Sequence, residues 1–288
     1  MNLRQLHTLD AILKHGSFTS AGHSVNLSHS AISIQMKQLE EELDTVLFDR
    51  MTRPPKLTAM GEKLALLSRN VLNEVENIRD TASGHSLVGN VSIGIVPTAS
   101  GTLLPILLEG LRDRFPKLQA IVKSDTSLEL ASMVSLHQLD FAILTSPVIE
   151  IPGVTVTEIA AEPLYVVGPA EQVDARNDIE LLQSMPFIAF NKKAWLGQQI
   201  VARMQSRGIH VQQIMEIDSI DVIENLVVAG FGTSILPMRH LAPPLSEKMT
   251  VLPFCDPIAT RMLVLMQPDH GRNLEVAATI KKILASIG

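Results

Sequence analysis

The 288-residue chain is poor in cysteine and in aromatic residues: it has one cysteine, Cys255, and aromatics make up 3% of it. A single cysteine excludes an intrachain disulfide framework and is typical of proteins from a reducing compartment. The sequence also has no N-terminal signal pattern and no apolar run of the roughly 18 residues that a membrane span requires. We therefore expect a soluble cytoplasmic protein with no membrane partner.

An excess of positive charge is also missing. The chain contains 24 Lys and Arg against 30 Asp and Glu, which gives a formal net charge of -6. Residues 1–60 contain six cations and six anions, so that 6 − 6 = 0. Charge alone therefore does not indicate a nucleic-acid partner, and a DNA-binding protein of this kind would need paired subunits to gain affinity.

Motifs for catalysis, cofactors or metals are not found either. There is no Gly-x-Ser-x-Gly elbow and no Walker loop, and Gly230-Phe231-Gly232 lacks the third glycine of a dinucleotide fingerprint. The first four histidines are eight, eight and six positions apart, whereas metal ligands on a helix are usually three to five apart; they are His7, His15, His23 and His29. The sequence thus predicts no catalytic residue, no metal site and no cofactor, and hence a protein that is not an enzyme.

Two helices are predicted at the N-terminus. Apolar residues recur at helical spacing from Leu3 to Leu13, and Gly16 follows as a stop signal. Small residues, Ala21 and Gly22, suit a close approach between helices. Ser28 is a good N-cap for the next helix. The apolar positions of this second helix are four, three and four residues apart and form one buried stripe: Ile32, Met36, Leu39 and Leu43.

The other face of this second helix is small and polar, which suits close approach to a DNA major groove. We therefore predict that the following residues contact DNA: Ser28, His29, Ser30, Ser33, Ile34 and Lys37. The alternative is an ordinary solvated helix face, because polarity alone carries little specificity.

A basic loop follows the second helix. Arg50 and Arg53 are the predicted DNA contacts in it, and Lys56 adds a third cation. Pro54-Pro55 prevents the loop from continuing as a helix, so we expect these cations to be held out from the body, toward the minor groove or the sugar-phosphate backbone. The alternative is a soluble proline turn without a DNA role.

Taken together, residues 17–61 closely resemble the DNA-binding domain of LysR-type transcriptional regulators, and the match in spacing extends over about sixty positions in all. The resemblance implies a winged helix-turn-helix over residues 1–59. Three positions depart from the family pattern: His29 stands where a glutamine is usual, Ile34 where an arginine is usual, and Asp44 where a glycine is usual. Ile34 could pack on a thymine methyl group but cannot bind guanine or phosphate.

A long helix is predicted over residues 60–83, because apolar residues recur there three and four positions apart: Met60, Leu64, Leu67, Val71, Val75, Ile78 and Ala82. Such a seam either pairs with a second copy of the chain or packs on the chain's own body. In the family that the chain resembles, this linker helix is the dimerisation element, so a homodimer or homotetramer is expected.

Residues 84–90 are small and flexible, and we interpret them as a hinge. Strands and helices then alternate over residues 91–288, which predicts an α/β domain with a mostly parallel sheet. The resemblance implies a two-lobed effector domain like a periplasmic binding protein. Its first lobe is expected at about residues 91–161 and 267–288, and its second at about residues 162–266.

Hydroxyl-rich loops in this domain are expected between the carboxyl end of a strand and the start of a helix, where open sheets bind ligands. Each could equally be an ordinary helix cap. In the family, loops at these places contact the inducer, so the resemblance assigns effector binding to Thr98, Ala99, Ser100, Thr126, Ser127, Asn191 and Ser219. The three main loops are expected at residues 97–101, 124–127 and 218–219, and the helix after the first of them is expected to begin at Leu103. None of these loops contains Lys or Arg, and we expect a small polar or anionic metabolite.

The sequence therefore predicts a sequence-specific transcriptional regulator that binds double-stranded promoter DNA and responds to a small effector. Two alternatives stay open. One is a small-molecule-binding or enzymatic α/β protein without a working DNA-binding role, and the other is an architectural DNA-binding protein with no ligand response. The effector, the operator sequence and the sign of regulation are not determined by these patterns.

Overall fold

The computed structural model describes residues 1–52, 54–82, 89–170, 175–239, 241–242, 245–269 and 274–286. Arg53 of the predicted wing and residues 84–88 of the predicted hinge lie outside these described residues. The chain forms two compact units, residues 1–87 and 88–288.

The first unit contains four helices and a two-stranded hairpin among its described residues. In chain order these are α1 (Leu3–His15), α2 (Phe18–Val25), α3 (His29–Glu42), β1 (Phe48–Asp49), β2 (Lys56–Leu57) and α4 (Ala59–Ala82). Local signals set the helix ends. Asn2 and Gln5 form a capping box at α1, and the side chains of Ser17 and Ser28 cap α2 and α3 by accepting a backbone N–H.

Three of the four residues predicted for the buried stripe of α3 are fully buried, namely Ile32, Met36 and Leu39, whereas Leu43 at the C-cap is only partly buried. They pack in one core with Phe18 of α2 and with Phe48 of β1, whose rings meet edge to face. The connection between α2 and α3 is tight. A Cβ atom at Gly22 would lie 2.6 Å from the Leu27 carbonyl oxygen, so only glycine fits there.

Two faces of α4 are apolar, and they have different surroundings. One face is buried within the first unit against α1 and the core of the helix-turn-helix, through Ala65, Ser68 and Leu72. The other face is an exposed apolar stripe, which consists of Met60, Leu67, Val71 and Ile78. The single predicted seam is therefore corrected. Leu64 packs on its own unit, because it lies between the two faces of the helix.

The second unit alternates strands and helices, as predicted. Its described elements are β3 (Gly89–Ile95), α5 (Pro97–Arg114), β4 (Leu118–Ser124), α6 (Ser127–Ser135), β5 (Phe141–Thr145), β6 (Val154–Pro169), α7 (Asp178–Ser184), β7 (Phe187–Phe190), α8 (Trp195–Ser206), β8 (Gln213–Ile217), α9 (Ile220–Val228), β9 (Ser234–Pro237), β10 (Met249–Pro253), β11 (Thr260–Pro268) and α10 (Leu274–Ala285).

The sheets of this unit are mixed, which corrects the prediction of a mostly parallel arrangement. Strand β3 is parallel to β4 and β5, and β7 is parallel to β8. The remaining described pairings of named strands in the unit are antiparallel: β5 with β11, and β6 with β9, β10 and β11. Strand β6 has 16 residues and pairs with β11 over its first part and with β9 and β10 over its last part.

Strands β6 and β11 connect the two lobes and pair with each other from Thr260 opposite Pro163 to Pro268 opposite Val154. The sequence placed residues 162–266 in the second lobe. Residues Leu263–Met266 of β11 instead pair with β5 and so belong to the sheet of the first lobe. The hydrogen bonds between strands that decide this are not visible in the residue pattern of one strand.

The first helix of this unit begins earlier than predicted. The sequence indicated a loop at residues 97–101 and a helix from Leu103, whereas α5 begins at Pro97. Proline suits the first position of a helix because its fixed φ angle is already helical and its missing N–H has no partner there. Thr98, Ala99 and Ser100 therefore lie in the first turn of α5 rather than in a loop.

Candidate functional site

The exposed face of α3 brings together the six residues predicted on this helix and at its N-cap. The Ser28 hydroxyl accepts a hydrogen bond from the Ala31 N–H at 3.2 Å and lies 3.0 Å from the Ser30 hydroxyl. His29, Ile34 and Lys37 are exposed, and Ser33 is half-buried. This surface, which we call the α3 face, lies opposite the buried stripe and is open to a partner.

Two side chains of the α3 face are held by neighbours. The ring of His29 packs on Phe18, with 5.7 Å between ring centroids. Nζ of Lys37 lies 3.6 Å from Oε1 of Glu41, one helical turn away, and both side chains are largely exposed. An exposed pair of this kind contributes little to stability, so Lys37 is free to exchange Glu41 for a phosphate.

In the loop between β1 and β2, Arg50 is held against the body of the protein. Its Nη2 atom lies 2.7 Å from Oε2 of Glu40. The other oxygen of Glu40 accepts hydrogen bonds from the backbone N–H groups of Leu47 and Phe48, at 2.8 and 3.0 Å. The expectation of cations held away from the body is therefore wrong for Arg50, because Glu40 of α3 anchors it. Lys56 is exposed, and Arg53 lies outside the described residues.

The second unit contains a cavity of about 370 Å³. Five of the seven predicted effector residues line it: Thr98, Thr126, Ser127, Asn191 and Ser219. The other two do not. Ala99 is buried in the core, and the Ser100 hydroxyl donates to the Pro97 carbonyl at 2.9 Å.

Four helix N-termini reach this cavity, those of α5, α6, α8 and α9. Thr126 caps α6 and Ser219 caps α9, each accepting a backbone N–H through its hydroxyl oxygen. Helices α5 and α8 begin beside Thr98 and Ala194, and neither has a side-chain cap. The capping interpretation is thus correct for Thr126 and Ser219, but a hydroxyl that accepts in a cap still has a proton to donate. Hydroxyl donors and the positive ends of helix dipoles therefore meet at one place.

The lining of the cavity carries negative charge that sequence reasoning did not weigh. Among the described residues that line it there are two carboxylates, Asp125 and Asp218, and no Lys, Arg or His. Asp125 accepts the Thr126 N–H at 2.9 Å, and its other oxygen lies 3.5 Å from Nζ of Lys123. Two carboxylates disfavour a ligand with several negative charges.

Arg261 on β11 stands behind the cavity, and sequence reasoning missed it. Its Nη1 atom donates to Oγ1 of Thr98 at 2.7 Å. Its Nε atom donates to Oε2 of Glu162 at 2.8 Å, and Nη2 makes a second contact with the same oxygen. Arg261 and Glu162 are cross-strand partners and are almost completely buried. A charged residue at the start of an apolar strand, Arg261–Met266, was the available signal.

Burial lowers the pKa of the Arg261 guanidinium from its ordinary value, and the Glu162 carboxylate opposes this shift. An arginine stays protonated at physiological pH in spite of such a shift. The group is therefore a fixed buried cation, paired with Glu162 and bonded to one hydroxyl of the cavity wall.

Comparison with protein families matches two models to the chain. One is described as "Bacterial regulatory helix-turn-helix protein, lysR family" and matches residues 3–62. The other, "LysR substrate binding domain", matches residues 84–286. Among similar proteins, the hydrogen peroxide-inducible genes activator of Pectobacterium carotovorum is 29% identical over 301 residues, covering 98% of this chain and 96% of that protein. The HTH-type transcriptional regulator CzcR of Bacillus anthracis is 28% identical over 246 residues, covering 84% and 83%.

Solved structures share the fold. A full-length OxyR variant from Pseudomonas aeruginosa has a TM-score of 0.75 at 23% identity and covers 99% of this chain and 94% of its own. Full-length CbnR in complex with its target DNA has a TM-score of 0.65 at 18% identity and covers 100% of both chains. No helix in the described part of our chain is long and apolar enough to cross a membrane.

These matches confirm the predicted fold class, with its N-terminal winged helix-turn-helix, long linker helix and two-lobed ligand-binding domain. They also confirm the resemblance inferred from residues 17–61. Since the two family models cover residues 3–62 and 84–286, the chain belongs to the LysR family of DNA-binding transcriptional regulators with an effector-binding domain.

Proposed function

We propose that this regulator reads its operator through the α3 face and that a small polar metabolite in the cavity of the second unit modulates this binding. The observation that supports the proposal most is the α3 face itself. It is an exposed helix surface with small hydroxyls, one imidazole and one ammonium group, supported by a core of its own. On this proposal the protein acts on DNA in the cytoplasm and is not an enzyme.

The side chains of the α3 face suit different parts of the DNA. Ser28, Ser30 and Lys37 suit phosphate oxygens, and His29 and Ser33 can hydrogen-bond to base edges. Ile34 is 60% exposed and suits a thymine methyl group. Arg50 reaches DNA only by exchanging Glu40 for phosphate, and Arg53 is proposed from the sequence alone.

Self-association is the second part of the proposal. The exposed stripe of α4 consists of Met60, Leu67, Val71 and Ile78, spaced seven, four and seven residues apart, as in the seam of a coiled coil. We propose residues 60–83 as the dimerisation helix, 84–90 as the hinge and 91–288 as the effector domain. One weakly charged α3 face is expected to bind DNA weakly. A dimer would compensate for this, because two linked α3 faces on two half-sites bind far more tightly than one.

Effector binding is proposed for the cavity, since residues from both lobes line it. Thr98 and Thr126 come from the first lobe, and Asn191 and Ser219 from the second. A ligand between two lobes can bias DNA binding only by its different affinity for two arrangements of the protein. We therefore expect a modest equilibrium shift rather than an absolute switch.

Footprinting of the purified protein on the DNA beside its own gene tests the proposal. We expect protection of two half-sites about one or two helical turns apart at physiological salt. A metabolite that raises the melting temperature of the protein should also change the footprint. Failure to protect any promoter DNA would favour a ligand-binding or enzymatic protein without a DNA role. Protection that no metabolite changes would favour an architectural DNA-binding protein.

A further inference from the structure

The hydrogen bond between Arg261 and Thr98 determines whether the Thr98 hydroxyl accepts or donates in its other contacts. A guanidinium group has N–H donors and no acceptor, so Oγ1 of Thr98 must accept from Nη1 of Arg261. The hydroxyl has one proton, which is left for a different acceptor. Within the described residues no acceptor takes it. Thr98 is therefore a donor toward the cavity that it lines.

Arg261 is itself held in place. Its side chain is completely buried, and its remaining hydrogen bonds go to the Glu162 carboxylate on the neighbouring strand. Strand pairing places these two residues directly opposite each other, so backbone hydrogen bonds fix their separation. Nη1 of Arg261 has little freedom to leave Thr98, and the hydroxyl keeps one orientation.

We propose that Arg261 is a positioning residue of the effector cavity, which holds Thr98 as a committed hydrogen-bond donor and thereby selects a ligand with a carboxylate at this point. This inference rests on the proposed function, in which the cavity binds the effector. A carboxylate oxygen there would face the Thr98 proton and the uncapped N-terminus of α5, both of which favour negative charge.

Two carboxylates in the lining of the cavity limit the ligand to one negative charge. Asp125 lies on the same lobe as Thr98 and Asp218 on the other lobe, and in the described part of the chain Asp218 has neither a hydrogen bond nor an ion pair. A second carboxylate on the ligand would meet these groups without a compensating cation in the lining. The preferred ligand class is therefore a small monocarboxylate.

Four matched four-carbon probes test the ligand class: butyrate, butyramide, butylamine and succinate. Each is added at about 20 mM to the full-length protein, and the shift of its melting temperature is measured at constant ionic strength. We expect butyrate to give the largest stabilisation, butyramide a smaller one, and succinate and butylamine little or none. A larger effect of butylamine or succinate than of butyrate overturns the inference, and so does the absence of stabilisation by all four.

A double-mutant cycle tests the positioning role. Thr98→Val removes the hydroxyl and keeps the shape, and Arg261→Lys keeps the charge for Glu162 but is too short to hold Thr98. We expect each variant to weaken butyrate binding about five- to tenfold, as for the loss of one hydrogen bond. The double variant should be no weaker than Thr98→Val alone, because both changes remove the same interaction. Thr98→Ser, which keeps the hydroxyl, should bind like the parent.

A purely structural role for Arg261 gives a different result. In that case Arg261→Lys lowers the affinity for butyrate by the same factor in the parent and in the Thr98→Val background. That result overturns the inference. If Arg261→Lys does not fold, the comparison of Thr98→Val with Thr98→Ser decides, and equal butyrate affinity of the two overturns it.

Ala194→Phe, which fills the cavity without removing a polar group, separates this inference from the proposed function. Undiminished butyrate binding by Ala194→Phe would show that the ligand binds elsewhere, and the proposed effector site would fail. Loss of binding in Ala194→Phe with equal affinity in Thr98→Val and Thr98→Ser would leave the cavity in place and overturn only the role of Arg261 and Thr98.

Discussion

Nε of Arg69 on α4 lies 2.7 Å from Oδ1 of Asp10 on α1, so an ion pair joins the linker helix to the body of its own unit. The side of α4 around Ala65, Ser68 and Leu72 is therefore committed to α1. With 3.6 residues per turn, the exposed stripe through Leu67 and Val71 lies about 110° around the helix from that side. One helix thus packs on its own domain and keeps a separate apolar surface exposed, the surface that we propose for dimerisation.

The first prediction concerns Val71, which is near the middle of the exposed stripe. Val71→Asp places a carboxylate in each half of a symmetric seam, and burial of an unpaired charge is strongly unfavourable. We expect dimerisation to weaken about a hundredfold or more, and two-half-site DNA binding to be lost with it. Light scattering at several protein concentrations measures the change.

Val148→Asp is the matched control for Val71→Asp, because Val148 is an exposed valine of the second unit. It should leave the oligomeric state unchanged. An unaltered oligomer in Val71→Asp would assign the self-association surface to another part of the chain.

The second prediction concerns the α3 face. Ser33→Glu brings a carboxylate against DNA phosphates and should reduce operator affinity at least about a hundredfold, while Lys37→Ala should weaken it and lower the salt slope by about one. Fluorescence anisotropy over a series of salt concentrations measures the operator affinity and the slope of its salt dependence. Lys117→Ala removes an exposed lysine of the second unit and serves as control. Unchanged affinity in a folded Ser33→Glu variant would mean that another surface meets the DNA.

The third prediction distinguishes Thr98 from Ser100. Thr98→Leu fills part of the cavity and should abolish the thermal stabilisation and the footprint change caused by any effector found in a metabolite screen, with basal DNA binding intact. The sequence predicts the same for Ser100→Leu, but the Ser100 hydroxyl is bonded to Pro97 outside the lining. We therefore expect a smaller effect from Ser100→Leu. Equal stabilisation of parent and Thr98→Leu would exclude this cavity as the effector site.

An ion pair in the second lobe gives a prediction about pH. Asp178, at the start of α7, is bidentate with Arg207 at the end of α8, and it also accepts the Cys255 N–H at 3.0 Å. Burial by itself raises the pKa of Asp178, but the Arg207 guanidinium and the backbone hydrogen bonds outweigh it, so the pKa lies below the ordinary 3.8. A carboxyl group with a lowered folded-state pKa stabilises the protein above its unfolded-state pKa.

The fourth prediction follows from the lowered pKa of Asp178. Asp178→Asn should cost about 2 kcal/mol of unfolding free energy at pH 7, less than for a fully buried pair because Arg207 is partly exposed. The difference between parent and variant should stay constant down to about pH 5 and shrink as pH falls through the folded-state pKa, below 3.8. Urea unfolding at several pH values measures it. Asp113→Asn, at an exposed site, should cost almost nothing, and a difference that grows on acidification would contradict the assignment.

The helix-turn-helix could be predicted from the sequence because its determinants are local. Ser28 caps α3 from the adjacent position, and Ile32, Met36 and Leu39 become one buried stripe by helical periodicity alone. Asp44 replaced a usual glycine in the family pattern, and its φ of 47° is in the left-handed region that favours glycine. Strand and helix order in the second unit likewise followed from apolar runs, apart from the early start of α5 and the full length of β6.

Contacts between distant parts of the chain were decided only by the tertiary structure. Both apolar sides of α4 look alike in sequence, and only the packing of α1 separates the buried side from the exposed stripe. Arg50 carries the expected charge, yet Glu40 holds it to the body. Arg261 and Thr98 are 163 positions apart, and no periodicity relates them. Local propensity determines which residues form helices and strands. Hydrogen bonds between strands, in contrast, join residues that are far apart in the sequence. The pairing of β6 with β11 is of this kind, and it places the buried cation Arg261 behind the cavity.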